Sequence, residues 1–296
     1  MAESNSHKFG QIIGNALETA VEPMLRGIAD KHNLYLDRKG ERLARKSKKV
    51  TWVDVYENAH DLDYVFEREG SQTHVGAPLA FIEIAWRRYT KHSRNKAQEI
   101  QGAIRPLVST YWKEAPFAGA ILAGDFTGGA LTQLTSLNFK VLHFPYETML
   151  TAFSRVGIDA RFNENTEEEE FARKVLAWEN LSESQRLEVA QALLEINEQE
   201  VNKFKALLEQ AIMRRIETIH ILPLHGAQSA YTSIAEAIEF IENYNEASIS
   251  NPIRKYEILI RYNNGDRIEA QFIEKEQAVE FLGSYLPPPV RPAINE

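Results

Sequence analysis

Residues 60–67 read HDLDYVFE and residues 79–86 read LAFIEIAW. Both segments predict β-strands, because they are short, rich in apolar and aromatic residues and separated by a turn-forming stretch. Each carries acidic residues: Asp61 and Asp63 share one face by the two-residue period of a strand, and Glu83 interrupts an apolar run. A carboxylate inside a buried strand is costly unless it is paired or bound to a cation, so a functional site is expected on these two strands.

The sequence on either side predicts an α/β fold. Segments with helical spacing alternate with short β-rich or apolar runs, in the order α-β-β-β-α-β-α-β-α up to about residue 160. The predicted helices are Phe9 to about His32, Ser93 to about Val108, Gly128 to Leu137 and Glu147 to Val156, and the predicted strands are Val50–Tyr56, Asp63–Glu67, Leu79–Trp86, Gly119–Ala123 and Lys140–Phe144.

Beyond residue 160 the pattern changes. Ser182 to about Ile216 has the periodicity of a single amphipathic helix, which would be about 52 Å long. After it comes a small β-α-β-β-α pattern, with a hairpin turn predicted at residues 263–266. The predicted domains are residues 1–163, a helical region at 164–216 and an accessory domain at 217–296.

The length of this helix also predicts a homodimer, with the helix or the accessory domain at 217–296 supplying much of the interface. A stripe of apolar residues runs along it, and a small domain is too short to cover the whole stripe, so the adjacent domain or a second chain is needed. The stripe comprises Leu187, Val189, Ala190, Leu193, Leu194, Ile196, Val201, Phe204, Leu207 and Leu208.

Composition excludes several classes of protein. Of the 296 residues, 44% are hydrophobic and 26% are charged, which is typical of a globular protein and not of a disordered one. The chain has no cysteine, so disulfides, thiolate metal sites and a cysteine nucleophile are excluded. No apolar run is long enough to span a bilayer and the first residues lack an apolar signal core, which favours a cytoplasmic protein with no membrane partner.

Charge is unevenly distributed along the chain. The formal net charge is −8, with +2 in residues 1–160 and −10 in residues 161–296. A net acidic chain is a poor candidate for broad electrostatic binding to nucleic acid, but the first half has two basic clusters that are either solvated or close to a phosphate-binding cleft. The first cluster contains Arg38, Lys39, Arg42, Arg45, Lys46, Lys48 and Lys49, and the second contains Arg87, Arg88, Lys91, Arg94 and Lys96.

Carboxylates on two neighbouring strands of a hairpin can converge on one Mg²⁺ or Mn²⁺, which are cations that take oxygen ligands. A bound ion of this kind polarises a phosphoryl oxygen and lowers the pKa of a bound water. The alternative is that Glu83 faces solvent or pairs with Arg87.

These strands and their order resemble the PD-(D/E)XK nuclease superfamily, which has the restriction-endonuclease-like fold. That family has an α-β-β-β-α-β core, with an aspartate opening the second core strand and Glu-x-Lys on the third. Here HDLD, FIEIA, a helix and GAILA occupy these places within residues 8–160. The resemblance implies a nuclease-like domain at 1–163 in a Mg²⁺-dependent endonuclease that hydrolyses double-stranded DNA, most like a type II restriction endonuclease.

Carried over residue by residue, the resemblance implies a set of metal ligands. Asp63 is the first ligand, with Asp61 as the fallback, and Glu83 is the second. Glu18, on the first predicted helix, matches an acidic residue that some family members add to the metal site.

Ala85 occupies the place of the motif lysine, which in the family helps to position the attacking water and to stabilise phosphate charge. The chain is then an engineered inactive variant, a natural inactive relative, or an enzyme in which another cation substitutes. Lys96 is the main substitute, because helical periodicity places it with Ile100 on the sheet-facing side, although its side chain can also extend to the surface. Arg87 shares a strand face with Glu83, but its guanidinium always stays charged, which makes it a clamp and not a base.

Three hypotheses remain from the sequence. The first is a DNA endonuclease with Asp63, Glu83 and Lys96 as catalytic residues. The second is an inactive relative that binds DNA without cutting it, and the third is a non-enzymatic interaction protein that uses its long helix and acidic tail domain. The residues expected to contact DNA are Arg87, Arg88, Lys91, Arg94 and Gln101.

Overall fold

The computed structural model describes residues 4–223, 228–246 and 255–286, which form two compact units divided between Ile212 and Met213. The first unit is a mixed α/β structure, so the predicted class is confirmed. Its elements are α1 (Asn5–Lys31), β1 (Tyr35–Arg38), β2 (Val50–Val53), β3 (Ala59–Leu62), β4 (Tyr64–Arg68), β5 (Ala77–Arg87), α2 (Ser93–Thr110), β6 (Phe117–Gly124), α3 (Gly128–Ser136), β7 (Lys140–Pro145), α4 (Tyr146–Ser154), α5 (Glu168–Glu179), α6 (Glu183–Ile196) and α7 (Glu198–Ile212).

A five-stranded mixed sheet forms the centre of this unit. Its strand order is β1-β4-β5-β6-β7. The pairs β1–β4 and β4–β5 are antiparallel, whereas β5–β6 and β6–β7 are parallel. Helix α2 connects β5 to the parallel strand β6, as a parallel pair requires, and α3 connects β6 to β7.

Alternate residues of the central strand β5 belong to two separate apolar cores. Ile82 packs with α1, whereas Phe81 and Ala85 pack with α2 and the β2–β3 hairpin. Burial of each large apolar side chain contributes about 1.5–3 kcal/mol to folding. By the two-residue period, Glu83 points to the same side as Phe81 and Ala85, so it enters the α2 side of the sheet.

The first strand of the main sheet is not the predicted one. Val50–Val53 pairs with Ala59–Leu62 in a separate two-stranded sheet, and Tyr35–Arg38 is the edge strand beside β4. The sequence of this edge strand, YLDR, resembles a polar linker. Its two central residues, Leu36 and Asp37, are nevertheless buried. Asp37 is 2% exposed and forms an ion pair with Arg42, which is too distant along the chain for strand periodicity to detect.

The predicted helix from Ser182 to Ile216 is wrong. It is two helices, α6 and α7, separated at Asn197, where the backbone turns to φ −107° and ψ 21°. The Asn197 side-chain amide donates a hydrogen bond of 2.8 Å to the carbonyl of His143 in β7, which stabilises the break. Ile216, the expected end of the helix, begins a strand.

This break removes the argument from helix length for a homodimer. Helix α6 packs against α1 and α4, and α7 packs against β5, β6 and β7. Most of the apolar stripe is therefore covered within the first unit, and the helices that were expected to form a separate region at 164–216 complete its core. The buried members of the stripe are Val189, Ala190, Leu193, Val201, Phe204 and Leu208.

The second unit is a four-stranded antiparallel sheet with two helices. Its elements are β8 (Ile216–Pro223), β9 (Ser229–Tyr231), α8 (Ile234–Asn243), β10 (Tyr256–Tyr262), β11 (Arg267–Phe272) and α9 (Lys275–Gly283), with strand order β11-β10-β8-β9. The predicted hairpin of β10 and β11 is confirmed. None of the helices in the described ranges combines the length and the apolar composition needed to cross a membrane.

Candidate functional site

Two carboxylates and a lysine meet where β4 begins. Asp63 precedes β4, and its Oδ2 accepts a hydrogen bond of 2.7 Å from the backbone N–H of Ile84 in β5. This bond fixes the Asp63 carboxylate beside the strand that carries Glu83. Lys96, in the first turn of α2, lies with its Nζ 3.7 Å from Oε2 of Glu83.

Lys96 reaches this point because α2 packs its apolar face on the sheet. Ala97, Ile100 and Ile104 are buried on that face, and Lys96 immediately precedes Ala97 near the start of the helix. Its side chain is 17% exposed and also approaches Glu99 at 3.3 Å. The 3.7 Å separation from Glu83 is longer than a hydrogen bond, so the contact is an ion pair that leaves donor hydrogens of the ammonium available.

The electrostatics of the two carboxyl groups are unfavourable. Burial raises the pKa of Glu83 to about 8, the negative charge of Asp63 adds to this effect, and the Lys96 charge opposes it. Burial also raises the pKa of Asp63, against the Ile84 N–H and the charges of Lys96 and Lys39. Without a bound cation, burial therefore favours the protonated forms of both carboxyl groups.

A third carboxyl group belongs to this region. The pKa of Glu18, on α1, is raised first by burial and then by the charge of Asp63, whereas the charge of Lys39 lowers it. Sequence reasoning did not single out Lys39 within the first basic cluster. The only available signal was the strand that ends at Arg38, which is four residues long and polar.

The residues present fit a hard divalent cation. Asp63 and Glu83 supply oxygen donors in a place where burial raises both pKa values, and a bound cation would favour their ionised forms. No group of three or more histidine, cysteine or acidic side chains that could hold a metal occurs among the described residues. Such a site matches Mg²⁺, which commonly binds one or two carboxylates and completes its shell with water and substrate phosphate.

Ala85 is packed in the apolar core on the α2 side of the sheet. It is 4% exposed and belongs to the same core as Val65 and Phe81. A lysine at this position would enter that core. The ammonium near Glu83 comes from Lys96 instead.

Asp61 is not brought to the carboxylate pair. It belongs to β3, in the separate hairpin, and its two oxygens contact Lys49 at 2.5 Å and Thr51 at 2.6 Å. The expectation that Asp61 and Asp63 share a strand face is wrong, because Asp63 lies between β3 and β4 and not within one continuous strand.

Arg88, expected to contact DNA, is engaged within the protein. Its guanidinium pairs with Asp125, donates two hydrogen bonds to the carbonyl of Phe162 and lies 3.9 Å from the ring centre of Tyr146. These contacts join the end of β5 to the segment after α4. Arg88 is therefore a structural residue in this conformation.

The other residues expected to contact DNA lie in different settings. Arg87 donates a hydrogen bond to the Trp86 carbonyl at 2.8 Å, and Lys91 pairs with Glu164. Gln101 accepts a hydrogen bond from Gln133 of α3 at 3.0 Å, so it too is engaged. Arg94 is exposed.

A separate open pocket of about 680 Å³ lies in the second unit. Aromatic side chains and two glutamates line it, and no basic residue, serine or threonine is among its lining residues. The lining is Tyr231, Glu236, Glu239, Phe240, Asn243, Tyr244 and Asn245. The carboxylate–lysine arrangement of the first unit is therefore the stronger candidate for chemistry.

Comparison with protein-family models, with curated proteins and with solved structures yields no match. The functional interpretation consequently depends on the geometry of Asp63, Glu83 and Lys96 and on the resemblance seen in the sequence.

Proposed function

We propose that the chain is a Mg²⁺-dependent endonuclease that hydrolyses phosphodiester bonds of double-stranded DNA, with the restriction-endonuclease-like core. The observation that carries this proposal is the approach of Lys96 to Glu83 beside the half-buried Asp63. A carboxylate pair with an adjacent ammonium is suited to hydrolysing a phosphate ester.

The arrangement of the elements supports the same proposal. Helix α1 is followed by the three antiparallel core strands β1, β4 and β5, then by α2 and the parallel strand β6. This is the α-β-β-β-α-β order of the PD-(D/E)XK superfamily if the β2–β3 hairpin is an insertion. Asp63 then opens the second core strand and Glu83 lies in the third, which are the places where that family carries its acids.

Each side chain has a distinct part in the proposed reaction. Asp63 and Glu83 would hold the ion, which supplies Lewis-acid stabilisation of the phosphate charge when bound. The Lys96 ammonium donates hydrogen bonds, so it orients the attacking water or a phosphate oxygen but does not accept a proton while charged. Water oxygen adds to phosphorus, the bond from phosphorus to one sugar oxygen breaks, and the proton released from water passes to solvent or to the departing oxygen.

A second candidate, DNA binding without cleavage, is favoured by one observation. Ala85 stands where the family has its lysine, and it packs in an apolar core. If Lys96 does not perform the role of that lysine, the carboxylate pair binds metal and DNA without hydrolysis.

Cleavage of plasmid DNA in Mg²⁺ tests the proposal. We expect the parent protein to cut and Asp63→Asn and Glu83→Gln to lose cutting, because each removes one charged ligand. Asp61→Asn is a matched control, since it changes the same chemical group two residues from Asp63 but at an exposed position. The same four proteins are heated with and without Mg²⁺, because a ligand that binds the folded state raises the melting temperature.

The outcomes separate the hypotheses. Cutting by the parent and by Asp61→Asn alone supports the endonuclease. Mg²⁺ stabilisation and DNA binding by the parent without cutting on a broad mixture of DNA sequences supports the inactive relative. A parent that binds neither Mg²⁺ nor DNA contradicts the nuclease interpretation and favours a protein-interaction role.

A further inference from the structure

Lys39 lies level with the carboxylate pair across the main sheet. Strand β1 pairs with β4, and β4 pairs with β5, both antiparallel, and the register at the end near Asp63 is regular from Tyr64 to Phe66. The last registered positions across the three strands are Arg38, Tyr64 and Ile82, and the next positions are Lys39, Asp63 and Glu83. Extending the register by one position therefore places Lys39 and Asp63, just beyond the ends of β1 and β4, in a row with Glu83 of β5, with the lysine at the outer end.

The side chain of Lys39 acts on this row. Its charge is among the influences on the carboxyl groups of Asp63 and Glu18, whereas Lys96 approaches the row from Glu83. The charges of two lysines, Lys39 and Lys96, thus both act on the carboxyl group of Asp63. They differ in exposure, because Lys39 is exposed and the side chain of Lys96 is only 17% exposed.

The backbone that carries Lys39 is held by a buried arginine. The Arg45 Nη2 atom donates hydrogen bonds to the carbonyls of Arg38 and Gly40, the residues on either side of Lys39, at 3.0 and 3.2 Å. Gly40 has a φ of +144°, which other residues rarely adopt, so the chain leaves the strand at a defined angle. Arg45 is itself paired with the buried carboxylate of Asp37 at 3.0 Å.

A second buried arginine completes this support. Arg42 forms ion pairs with Asp37 at 2.7 Å and Glu67 at 2.6 Å, and both carboxylates are at most 2% exposed. It also donates hydrogen bonds to the carbonyls of Ser71 and His74. The loop after β1 is therefore attached to β4 and to the loop before β5. The backbone that carries Lys39 is thus held in place, whereas its ammonium is exposed. This combination is better suited to contact with a ligand than a lysine on an unattached, solvated loop.

We propose that Lys39 binds a backbone phosphate of the DNA next to the carboxylate pair, so that two lysines of different character serve one site. This inference rests on the proposed endonuclease function. Lys39 forms no ion pair with any residue in the described ranges, so its charge is available to a phosphate oxygen. Lys96, close to Glu83, acts where water is positioned, and Lys39 holds the substrate.

Substitution of Lys39 tests this role against a matched lysine. Lys39→Gln and Lys46→Gln remove the same charge from the same loop, and Lys39→Arg retains it. We expect Lys39→Gln to reduce cleavage at subsaturating duplex DNA about tenfold or more, since a charge-assisted hydrogen bond to the substrate is lost, and Lys39→Arg to recover most of it. Lys46→Gln is expected to cleave like the parent.

Two readouts do not depend on cleavage. The slope of log affinity against log salt for a DNA duplex should fall by about 0.9 in Lys39→Gln, as for the loss of one phosphate contact. The affinity for Mn²⁺ without DNA should be unchanged or higher, because a nearby positive charge is removed. A merely structural role would weaken Mn²⁺ binding and lower the melting temperature instead.

The results distinguish failure of this inference from failure of the proposed function. If Lys39→Gln and Lys46→Gln do not differ in cleavage or in salt slope, the role of Lys39 is overturned while the endonuclease stands. A parent that binds DNA without cutting, with a slope reduced in Lys39→Gln only, retains the phosphate contact and refutes the endonuclease. A parent that does not bind DNA overturns both.

Discussion

Glu83 lowers the stability of the folded protein when it is ionised. Burial and the Asp63 charge raise its pKa from 4.5 to about 8, so between these values the folded state keeps a proton that the unfolded state has released. The contribution of Glu83 therefore destabilises the protein progressively as pH rises through this window. We expect Glu83→Gln to melt several degrees higher than the parent at pH 8.5, since each 1 kcal/mol corresponds to about 2–4 °C in a protein of this size.

This gain should shrink as pH falls towards 4.5, because protonation of Glu83 removes the penalty from the parent. Scanning calorimetry of both proteins over this pH range, without divalent ions, measures the effect. A constant difference between the two melting temperatures at all pH values would contradict a raised pKa of Glu83.

Lys96 supplies the ammonium beside Glu83. Lys96→Met should reduce cleavage by about 100-fold or more, because the ammonium next to Glu83 is lost, while DNA affinity changes little. Ala85→Lys alone should not raise cleavage above that of the parent. It should destabilise it by about 1–3 kcal/mol, because Ala85 is 4% exposed in a packed apolar core.

Cleavage and urea unfolding of three proteins check this expectation: Lys96→Met, Ala85→Lys and the variant with both changes. Partial recovery of cleavage in the double variant would show that a lysine on either element can serve the carboxylates. Full cleavage by Lys96→Met would exclude Lys96 from the reaction.

Among the structural elements, the edge strand β1 depends on its buried ion pairs. Arg42→Met keeps the length of the side chain but leaves Asp37 and Glu67 buried without their shared partner. We expect a loss of about 3–5 kcal/mol in the free energy of unfolding, as is usual when one member of a buried ionic group is removed.

Chemical denaturation of Arg42→Met against Lys48→Met measures this loss. Lys48 lies in the same loop and pairs with Glu41, but the two side chains are 71% and 84% exposed, so its replacement should change stability by less than about 0.5 kcal/mol. Equal small effects of the two substitutions would mean that the loop after β1 is not held by Arg42.

The elements that the sequence predicted depend on residues close together in the chain. The elements that it missed depend on contacts between residues far apart in the chain. The helix carrying Lys96 and the strand carrying Glu83 follow from the spacing of their own apolar residues. The edge strand at Tyr35–Arg38 was missed because its stability comes from Arg42 and Glu67, which follow it in the chain. The break at Asn197 was missed because its amide bonds to a carbonyl more than fifty residues away.

Across the whole molecule, the residues of the candidate site all belong to the first unit. Asp63, Glu83 and Lys96, together with both apolar cores that position them, lie before Met213. We expect a fragment of residues 1–212 to fold cooperatively and to show the same Mg²⁺-induced rise in melting temperature that is expected for the full chain. Calorimetry of the two proteins with and without Mg²⁺ checks this, and a fragment that does not fold would show that the second unit is required.

The sequence by itself determined the alternation of helices and strands, the acid within an apolar strand and the sheet-facing position of Lys96. These depend on periods of two and 3.6 residues and on the cost of burying a charge, which act within a short stretch of chain. Only the tertiary structure separated Asp61 from Asp63 and placed Lys39 in a row with the carboxylates. It also showed that the expected long helix is two helices that pack within the first unit. Strand register and paired charges distant in sequence decide those features, and no local pattern encodes either.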